Sequence, residues 1–481
     1  MKNLYSDTIV APATTPGTGA ISIVRVSGPD CFRIVDAVVE LAHGTVSEAA
    51  AYTLHFGKVY VIPSEASVSP ALLDEVLVSV FRAPHSYTGD DAVEISTHAS
   101  AYIVQELVSL LLKAGARFAQ PGEFTRRAFL NGKMDLAQAE AVADVISSTT
   151  SASHRVAMNQ LKGGFSAELA SLREQLLEMA SLLELELDFS EEDVEFADRN
   201  KLMKLLEATR THIDSLVASF RQGNMINHGV PVAIVGPANA GKSTLLNSLL
   251  GEERAIVTDI PGTTRDTLEE NLNLGGILFR FIDTAGIRES SDTVEKLGIE
   301  RSFRKISEAE IVLCVLDAQS STIDLLNNLK TMLSRIDGGR QKTFILLNKV
   351  DKVSYEYANK NVADINNFVL SNDYKADIAL LSAKENIGIQ ELKDILYRAE
   401  QDLIPNEDST FITNTRHLEA LQNASSALSD CYTSLSLGIP IDLVAEDLRR
   451  ALSAINSILG KDLLDPDAIL NHIFSKHCIG K

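Results

Sequence analysis

The stretch that decides one part of the fold is Val232-Ala-Ile-Val-Gly-Pro-Ala-Asn-Ala-Gly-Lys-Ser-Thr-Leu-Leu-Asn247. An apolar run typical of a buried strand leads into Gly-x4-Gly-Lys-Ser, and a helix-forming run follows, which is the P-loop pattern in its required context. Its glycines let backbone N–H groups turn inward, and the helix N-terminus adds positive potential where a β-phosphate lies. In such a loop Lys242 neutralises β- and γ-phosphate oxygens, and the Ser243 hydroxyl binds Mg²⁺. The residues predicted to contact the phosphates are Asn239, Ala240, Gly241, Lys242, Ser243 and Thr244.

Two later segments are predicted to surround the γ-phosphate. Asp283-Thr-Ala-Gly286 ends an apolar run, which places Asp283 near Mg²⁺ and the Gly286 N–H on the γ-phosphate. The Gly-Thr-Thr loop before it suits a mobile switch, with Thr264 as a second hydroxyl ligand of Mg²⁺; a plain polar loop is the alternative. The residues assigned to the nucleotide here are Thr258, Asp259, Ile260, Pro261, Gly262, Thr263, Thr264, Asp283, Thr284, Ala285 and Gly286.

Two further motifs identify the base. Asn348-Lys-Val-Asp351 follows a strand-like run, and its Asp351 carboxylate can accept both N–H groups on one edge of guanine, whereas adenine offers no matching pair. Ser382-Ala-Lys384 completes the base pocket, with the Ala383 N–H available to the guanine oxygen. Each motif alone is weak, but together, in this order and at strand ends, they predict GTP. The residues assigned to the base are Asn348, Lys349, Asp351, Ser382, Ala383 and Lys384.

The residue after Gly286 is Ile287, where Ras-like enzymes carry a glutamine that orients the attacking water. An isoleucine cannot do this. No arginine is obviously supplied by the chain itself, although Arg265 and Arg288 are candidates. Another group must therefore orient the water.

The length and composition of the chain limit which classes of protein it can belong to. With 481 residues, 45% of them hydrophobic and 23% charged, it is expected to form roughly three globular domains. No apolar run approaches the ~18 residues of a membrane-spanning helix, and the N-terminus does not have the pattern of a signal peptide, so a cytoplasmic protein with no membrane partner is expected. The four cysteines are too scattered for a disulfide framework or a metal site.

The pattern of apolar residues predicts a multidomain chain. Short β-branched runs at residues 20–26, 53–62 and 76–81 and a helical pattern at 101–114 indicate an N-terminal α+β domain. Helical spacing then continues to about Phe220, a polar segment at 221–229 is interpreted as a linker, and strands alternate with helices as in a parallel sheet. Beyond Pro405 the chain is helical again, so an α/β P-loop domain is predicted to be inserted into one all-α domain. The predicted domains are residues 1–131, 132–228, 229–401 and 402–481, the second and last forming the helical domain.

The net charge of −21, from 44 basic and 65 acidic residues, does not steer the molecule onto nucleic acid. If RNA is a partner, a local basic face or a basic partner protein must capture it. Arg117, Arg126 and Arg127 are one local basic candidate.

Segments along the whole length resemble the MnmE (TrmE) family of tRNA-modification GTPases. They are Asp7-Thr-Ile-Val-Ala-Pro-Ala-Thr14, Pro121-Gly-Glu-Phe-Thr125, Ala128-Phe-Leu-Asn-Gly-Lys-Met-Asp-Leu-Ala-Gln-Ala-Glu-Ala141, Thr258-Asp-Ile-Pro-Gly-Thr-Thr-Arg-Asp266 and Cys478-Ile-Gly-Lys481. The resemblance implies an N-terminal folate-binding-like domain that mediates homodimerisation, with a GTPase domain inserted in a helical one. It also implies a flavoprotein partner of the MnmG (GidA) type, which carries FAD and forms a heterotetramer with the homodimer. Together they install a carboxymethylaminomethyl or aminomethyl group on carbon 5 of the tRNA wobble uridine, using a folate one-carbon unit.

The same resemblance implies roles for individual residues. Arg25, Glu94, Lys133 and Lys481 would bind the folate, 5-formyl- or methylene-tetrahydrofolate; each is otherwise a surface charge. Cys478 is either a nucleophile or a packed cysteine lining the folate pocket. The family depends on K⁺, whose ligands match Asn239, Thr258, Ile260 and Thr263, and its water-orienting residue matches Glu295. The K⁺ ion and Glu295 would replace the glutamine that is missing at Ile287, with Glu295 and Lys242 as the catalytic residues.

One alternative belongs to a different functional class, a ribosome-assembly GTPase switch, which shares the Gly-Thr-Thr-Arg-Asp switch and the base motifs. Such proteins usually attach a small RNA-binding domain to the GTPase end. Here the last ~80 residues are helical and lean acidic, which favours the tRNA-modification GTPase.

Overall fold

A computed structural model describes residues 7–61, 70–188, 199–251, 270–282, 306–404 and 410–461, together with Gly480. The described residues up to Phe118 form a mostly antiparallel sheet covered by helices. Its strands are β1 (Ile9–Pro12), β2 (Ile21–Ser27), β3 (Val39–Leu41), β4 (Thr53–Val61), β5 (Ala71–Phe81), β6 (Ala92–His98) and β7 (Arg117–Phe118), in the spatial order β3-β4-β5-β6-β2-β1-β7. Every neighbouring pair is antiparallel except β1 and β7.

One face of this sheet is the hydrophobic core of the N-terminal part. Side chains alternate across a strand, so Val24 and Val26 are buried while Arg25 between them points to the other face. The core is closed by α1 (Cys31–Asp36) and α2 (Ala101–Lys113), whose Ile34, Leu107 and Leu111 are fully buried. This leaves Arg25, paired in register with Glu94 of β6, on the face away from that core.

Helices dominate the middle of the chain. They are α3 (Glu123–Leu130), α4 (Leu136–Ser147), α5 (Ser151–Leu161), α6 (Gly164–Asp188) and α7 (Arg199–His228). The helical pattern read from the sequence up to about Phe220 is confirmed, but the linker expected at 221–229 is wrong because α7 continues through His228. Tertiary contacts override the polar composition there: Arg221 pairs with Glu310, and Gly223 lies so close to the Ile412 carbonyl that a Cβ would stand 2.2 Å from that oxygen.

A second sheet follows α7 at once. Its elements are β8 (Val230–Val235), α8 (Lys242–Leu250), β9 (Glu270–Leu274), β10 (Ile277–Ile282), β11 (Ile311–Asp317), α9 (Thr322–Leu333), β12 (Lys342–Asn348), α10 (Tyr355–Ser371), β13 (Asp377–Leu380) and α11 (Ile389–Glu400). The strand order is β13-β12-β11-β8-β10-β9, parallel throughout except for β9 against β10. The carboxyl ends of β8, β11 and β12 therefore meet at one edge, where ligands of such sheets bind.

Both faces of this sheet are buried, as expected of parallel strands. Leu313 and Val315 contribute to one core, whereas Val312, Cys314 and Leu316 contribute to the other. Cys314 is thus a packed core residue, as its apolar surroundings in the sequence indicate. Serine caps start two of the covering helices: Ser321 accepts a hydrogen bond from the Asp324 N–H, and Ser354 accepts one from the Tyr357 N–H.

The chain then returns to helices, α12 (Thr415–Ser436) and α13 (Ile441–Leu459). Arg173 of α6 donates a 2.9 Å hydrogen bond to Asn456 of α13. Glu140 of α4 accepts two hydrogen bonds of 2.9 Å from the Arg416 guanidinium and lies 2.6 Å from His417 Nε2, so that α4 is fixed to α12. Helices α12 and α13 thus pack with the earlier helices. The predicted fold class is confirmed: an α+β domain, an all-α domain and an inserted α/β P-loop domain.

Two compact units divide the chain. One consists of Met1–Ser147, Ala157–Ser215 and Arg416–Lys481, and the other of Ser148–Val156 and Leu216–Thr415. The predicted domain boundaries at 131/132, 228/229 and 401/402 stay predictions. Among the residues described, no helix has both the length and the apolar character needed to cross a bilayer.

Candidate functional site

The P-loop connects β8 to α8 and depends on two glycines. Gly236 has φ +156°, and a Cβ there would stand 2.2 Å from the Val315 carbonyl oxygen of the neighbouring strand. Gly241, the residue before α8, has φ +95°, a conformation that side chains disfavour. Between them Asn239 also adopts a left-handed conformation, with φ +60°. The loop therefore turns tightly against β11 and leads directly into the first turn of α8.

Lys242 is the first residue of α8 and lies inside the curve of the loop. Its ammonium donates to the carbonyl oxygens of Gly236 at 2.8 Å and Pro237 at 2.9 Å. Burial lowers the pKa of this lysine. A partly desolvated cation at a helix N-terminus, next to N–H groups that have no partner within the helix, is an environment suited to a phosphate.

Asn348, at the end of β12, joins the P-loop to the loop after β13. Its Nδ2 donates to the Ala240 carbonyl at 2.8 Å, and its Oδ1 accepts from the Ala383 N–H at 3.0 Å. The side chain is buried. The structure brings together the P-loop and the two base motifs, as the sequence predicts. The Ala383 N–H, which was expected to be available to guanine, instead donates to Asn348 in this structure.

The carboxylate of Asp351 is oriented by Ser382 of the Ser-Ala-Lys motif. The Ser382 hydroxyl donates to Asp351 Oδ1 at 2.6 Å. This hydrogen bond is the largest cause of a lowered pKa of Asp351, which keeps the group an ionised acceptor. Lys384 extends into solvent, 3.6 Å from Glu385.

Lys349 connects the P-loop to the end of β11. Its ammonium donates to the Asn239 carbonyl at 2.6 Å and to Asp317 Oδ2 at 2.7 Å. Asp317, at the end of β11, was not identified from the sequence. The signal that points to it is its position: it follows the apolar run Ile311–Leu316 just as Asn348 follows its own strand.

The N-terminal sheet gathers several of the predicted folate residues. Arg25 donates to Glu94 Oε1 through Nε at 2.9 Å and Nη2 at 2.8 Å, and through Nη1 to the Gly480 carbonyl at 3.0 Å. The guanidinium also lies over the rings of Tyr87 and Phe124, 5.4 and 5.6 Å from their centroids. Gly480 is thus held by the guanidinium that pairs with Glu94. Lys133 contacts another segment, donating to the Pro84 carbonyl at 2.9 Å.

Arg117, Arg126 and Arg127 do not form the suggested basic face together, because two of them are buried. Arg127 is 1% exposed and pairs with Asp7 and Glu123, and Arg117 pairs with the same two carboxylates. Arg126 is also buried. Arg126 and Arg127 are therefore not available to an RNA backbone, while Arg117, 42% exposed, is engaged with two carboxylates.

Comparison with known proteins covers almost the whole chain. A family model described as the GTP-binding protein TrmE N-terminus matches residues 8–133, and one described as the MnmE helical domain matches residues 136–478. The tRNA modification GTPase MnmE of Bacteroides thetaiotaomicron is 47% identical over 480 residues, which is 99% of this chain and 100% of that protein. This chain belongs to the MnmE (TrmE) family. The family and the enzyme class predicted from the sequence, a GTPase, are confirmed.

Other MnmE relatives are similar at the same level. The tRNA modification GTPase MnmE of Cytophaga hutchinsonii is 46% identical over 478 residues, 99% of this chain and 98% of that protein. Among solved structures, Era of Aquifex aeolicus bound to GDP·AlF4⁻ aligns with 41% of this chain and 66% of its own at 26% identity, with a TM-score of 0.28. That score is too low to support any conclusion about this MnmE-family chain.

Membership of this GTPase family implies Mg²⁺, the general partner of GTP in such enzymes. Ser243, the predicted ligand, lies half-buried in the first turn of α8, and its hydroxyl makes no hydrogen bond to any other described residue. An unengaged hydroxyl at this position fits a hard, oxygen-seeking cation.

Several residues predicted for the MnmE-family site lie outside the described residues. These are Thr258, Asp259, Ile260, Pro261, Gly262, Thr263, Thr264, Asp283, Thr284, Ala285, Gly286, Glu295, Cys478 and Lys481. Arg265, Ile287 and Arg288 lie there too. Their assignments stay predictions.

Proposed function

We propose that this chain is a Mg²⁺-dependent, K⁺-stimulated GTPase. In the cytoplasm, as a homodimer with a flavoprotein partner of the MnmG (GidA) type, it adds a carboxymethylaminomethyl or aminomethyl group to carbon 5 of the tRNA wobble uridine. The observation that carries the nucleotide part is the double hydrogen bond of Asn348, which holds the P-loop carbonyl of Ala240 and the Ala383 N–H together. Phosphate-binding and base-reading segments so joined at one sheet edge support a single GTP site.

The phosphate half of the site is assigned to the P-loop and α8. A triphosphate would replace the Gly236 and Pro237 carbonyls as acceptors for the Lys242 ammonium. Because burial desolvates this ammonium, its attraction to phosphate oxygens is stronger than in water. The backbone N–H groups of residues 239–244 would complete the cradle. Ser243 and Thr264 would hold Mg²⁺ through their hydroxyls, and the ion would supply positive charge against the phosphate oxygens.

The base half is assigned to Asp351. An ionised carboxylate only accepts hydrogen bonds, so it matches the N–H groups on one edge of guanine and leaves adenine without a match. The Ser382 hydroxyl orients this carboxylate and favours its ionised form. Guanine selectivity therefore depends on a pair of side chains that are already hydrogen-bonded to one another.

Hydrolysis is assigned to groups that replace the missing glutamine at Ile287. K⁺ would be held by the Asn239 side chain together with Thr258, Ile260 and Thr263, supplying positive charge where an arginine would otherwise act. Asn239 fits, because its exposed amide makes no hydrogen bond to another described residue and its left-handed backbone turns at the phosphate end of the loop. Glu295 would orient the attacking water.

The modification chemistry is assigned to the N-terminal part with its partner. Arg25, Glu94, Lys133 and Lys481 would bind 5-formyl- or methylene-tetrahydrofolate, and FAD would reside on the flavoprotein. The seating of Gly480 on the Arg25 guanidinium supports a pocket that includes the end of the chain.

The cation and water assignments are tested by GTP turnover. In KCl the rate is expected to be at least about tenfold higher than in NaCl of equal ionic strength, since one well-placed charge contributes that much to a transition state. Equal rates would remove K⁺ from the mechanism. Glu295→Ala should lose hydrolysis while keeping GTP affinity, with Glu391→Ala on the exposed side of α11 as the matched control; a normal rate for Glu295→Ala refutes its role.

The tRNA assignment is tested in cells. Nucleosides of tRNA from a strain lacking this gene should show unmodified wobble uridine, restored by the wild-type chain but not by Lys242→Ala. A deletion strain with normal wobble uridine and defective ribosomal subunits would instead favour the ribosome-assembly switch.

A further inference from the structure

A carboxylate beside the nucleotide loops has no role in the assignments above. Asp317 ends β11, and its Oδ2 accepts a 2.7 Å hydrogen bond from the Lys349 ammonium. The same ammonium donates to the Asn239 carbonyl at 2.6 Å. Lys349 thus connects the end of one strand to the P-loop, with Asp317 as its counter-ion.

Lys349, which carries this ammonium, and Asn239, whose carbonyl accepts from it, both have an unfavourable backbone conformation. Asn239 has φ +60° and Lys349 has φ +64°, and residues other than glycine hold such angles only where surrounding contacts impose them. Lys349 lies between Asn348 and Asp351 of the base motif, while Asn239 belongs to the phosphate loop. One cation therefore holds the two left-handed turns on either side of the nucleotide together.

Asp317 is itself fixed in place. Its Oδ1 accepts from the Gln319 N–H at 3.0 Å, and its carbonyl accepts from the Ser320 N–H at 3.0 Å. The carboxylate is 20% exposed and the Lys349 side chain 30%. A charge-assisted hydrogen bond of this length is stronger than a neutral one, and here its acceptor is already held in place.

We infer that Asp317 is a positioning residue for guanine-nucleotide retention, which acts by holding the Lys349 ammonium on the Asn239 carbonyl. This inference rests on the proposed GTP site. Without the carboxylate the ammonium loses its counter-ion and the P-loop carbonyl loses a fixed donor. The bound nucleotide then leaves faster, while the reacting groups are untouched.

The test is the dissociation rate of a fluorescent GDP analogue from the full-length protein. Asp317→Asn keeps the shape and the acceptor for Gln319 but replaces the carboxylate oxygen at Lys349 with an amide. Release is expected to be about tenfold faster, the loss typical of one charge-assisted hydrogen bond. The maximal GTP turnover at saturation should stay within about twofold, with the change confined to KM. Asp394→Asn, which removes a charge from the exposed face of α11, should release nucleotide at the wild-type rate.

A double-mutant comparison separates positioning from a merely structural turn. Lys349→Gln should accelerate release, and Asp317→Asn added to it should change little further, because the two residues act through one contact. Additive effects, or an unchanged rate in Asp317→Asn, would overturn the inference. If Asp317→Asn does not fold, Asp317→Glu, which keeps the charge, decides: release within about threefold of wild type supports the inference, and release as fast as from Lys349→Gln overturns it. A wild-type protein that binds no guanine nucleotide would overturn the proposed site as well.

Discussion

Gly241 and Asn348 approach so closely that no side chain fits between them. A Cβ on Gly241 would stand 2.3 Å from Asn348 Nδ2, the atom that donates to the neighbouring Ala240 carbonyl. The P-loop and the base motif are therefore in direct contact through a glycine and an amide. Any group added at Gly241 must displace the side chain that joins the two halves of the site.

Gly241→Ala should accordingly weaken nucleotide binding as well as the fold. The left-handed φ of +95° costs about 1–2 kcal/mol for alanine, and the displaced Asn348 loses its two hydrogen bonds. GTP affinity is expected to fall by about tenfold or more, measured by fluorescence titration beside a thermal melt.

The matched control is Gly438→Ala at the end of α12. Gly438 also has a left-handed φ, +68°, but no described atom lies within 4 Å of the position of its Cβ. This variant should lose a similar increment of stability and keep full GTP affinity. Wild-type affinity in Gly241→Ala would show that the contact with Asn348 is dispensable.

Ser382→Ala should lower guanine affinity without destabilising the sheet. The hydroxyl is the donor that fixes Asp351 Oδ1 and the main cause of the lowered pKa of that carboxylate. We expect affinity for GTP to fall by about tenfold, as for one lost hydrogen bond to a charged group, and to fall further as pH is lowered toward 4. The measurement is GTP titration between pH 7 and pH 4.

Ser354→Ala controls for the loss of a hydroxyl in the same domain. Ser354 caps α10 by accepting from the Tyr357 N–H, so its removal should cost about 1 kcal/mol of stability and leave GTP affinity unchanged. Equal affinity losses in the two serine variants would mean that Ser382 acts through general stability.

Glu140 should make a pH-dependent contribution to the stability of the helical part. Burial alone would raise its pKa, but the charge of His417 and hydrogen bonds from His417 and Arg416 lower it to about 2 from 4.5. A depressed pKa means that the stabilisation is complete above pH 4.5 and is lost as pH falls through 2. Its size is about 3 kcal/mol, since one pKa unit is equivalent to about 1.4 kcal/mol.

Urea unfolding of Glu140→Gln against wild type measures this contribution. The difference in unfolding free energy should be about 3 kcal/mol at pH 7 and less than about half of that at pH 3. Glu446→Gln, an exposed partner of Arg449 on α13, should show a difference of less than about 1 kcal/mol at either pH. A constant difference for Glu140→Gln would exclude ionisation as the source of its effect.

The sequence predicts the strands, loops and helices of the nucleotide site better than it predicts the side-chain contacts between them. Val232–Val235 followed by Gly236 is a local signal, and the strand, loop and helix all form as predicted. The role of Asp317 could not be predicted, because its partner Lys349 is 32 residues away and only the parallel pairing of β11 with β12 brings them together.

Where sequence and structure differ, long-range contacts decide. The polar composition of residues 221–229 favours a loop. The helix nevertheless continues, because Arg221 forms an ion pair with Glu310. Arg127 has the charge of a surface residue, but it is buried, and its guanidinium pairs with the buried Glu123 and with the partly exposed Asp7. In both cases a charge that the chain pattern places in solvent is stabilised by a partner distant in sequence or one helical turn away.

Gly480 supplies the last prediction, because the end of the chain reaches the N-terminal sheet through it. Gly480 has φ +97°, and a Cβ there would stand 2.2 Å from the Pro12 carbonyl oxygen. Gly480→Ala must therefore move away from β1 and release its carbonyl from Arg25. Affinity for 5-formyltetrahydrofolate is expected to fall by about tenfold, measured by calorimetry, while GTP hydrolysis stays normal. Gly44→Ala, with φ +67° and its nearest described atom 3.6 Å away, should leave both unchanged. Undiminished folate affinity in Gly480→Ala would mean that the folate residues act without the contact between Arg25 and Gly480.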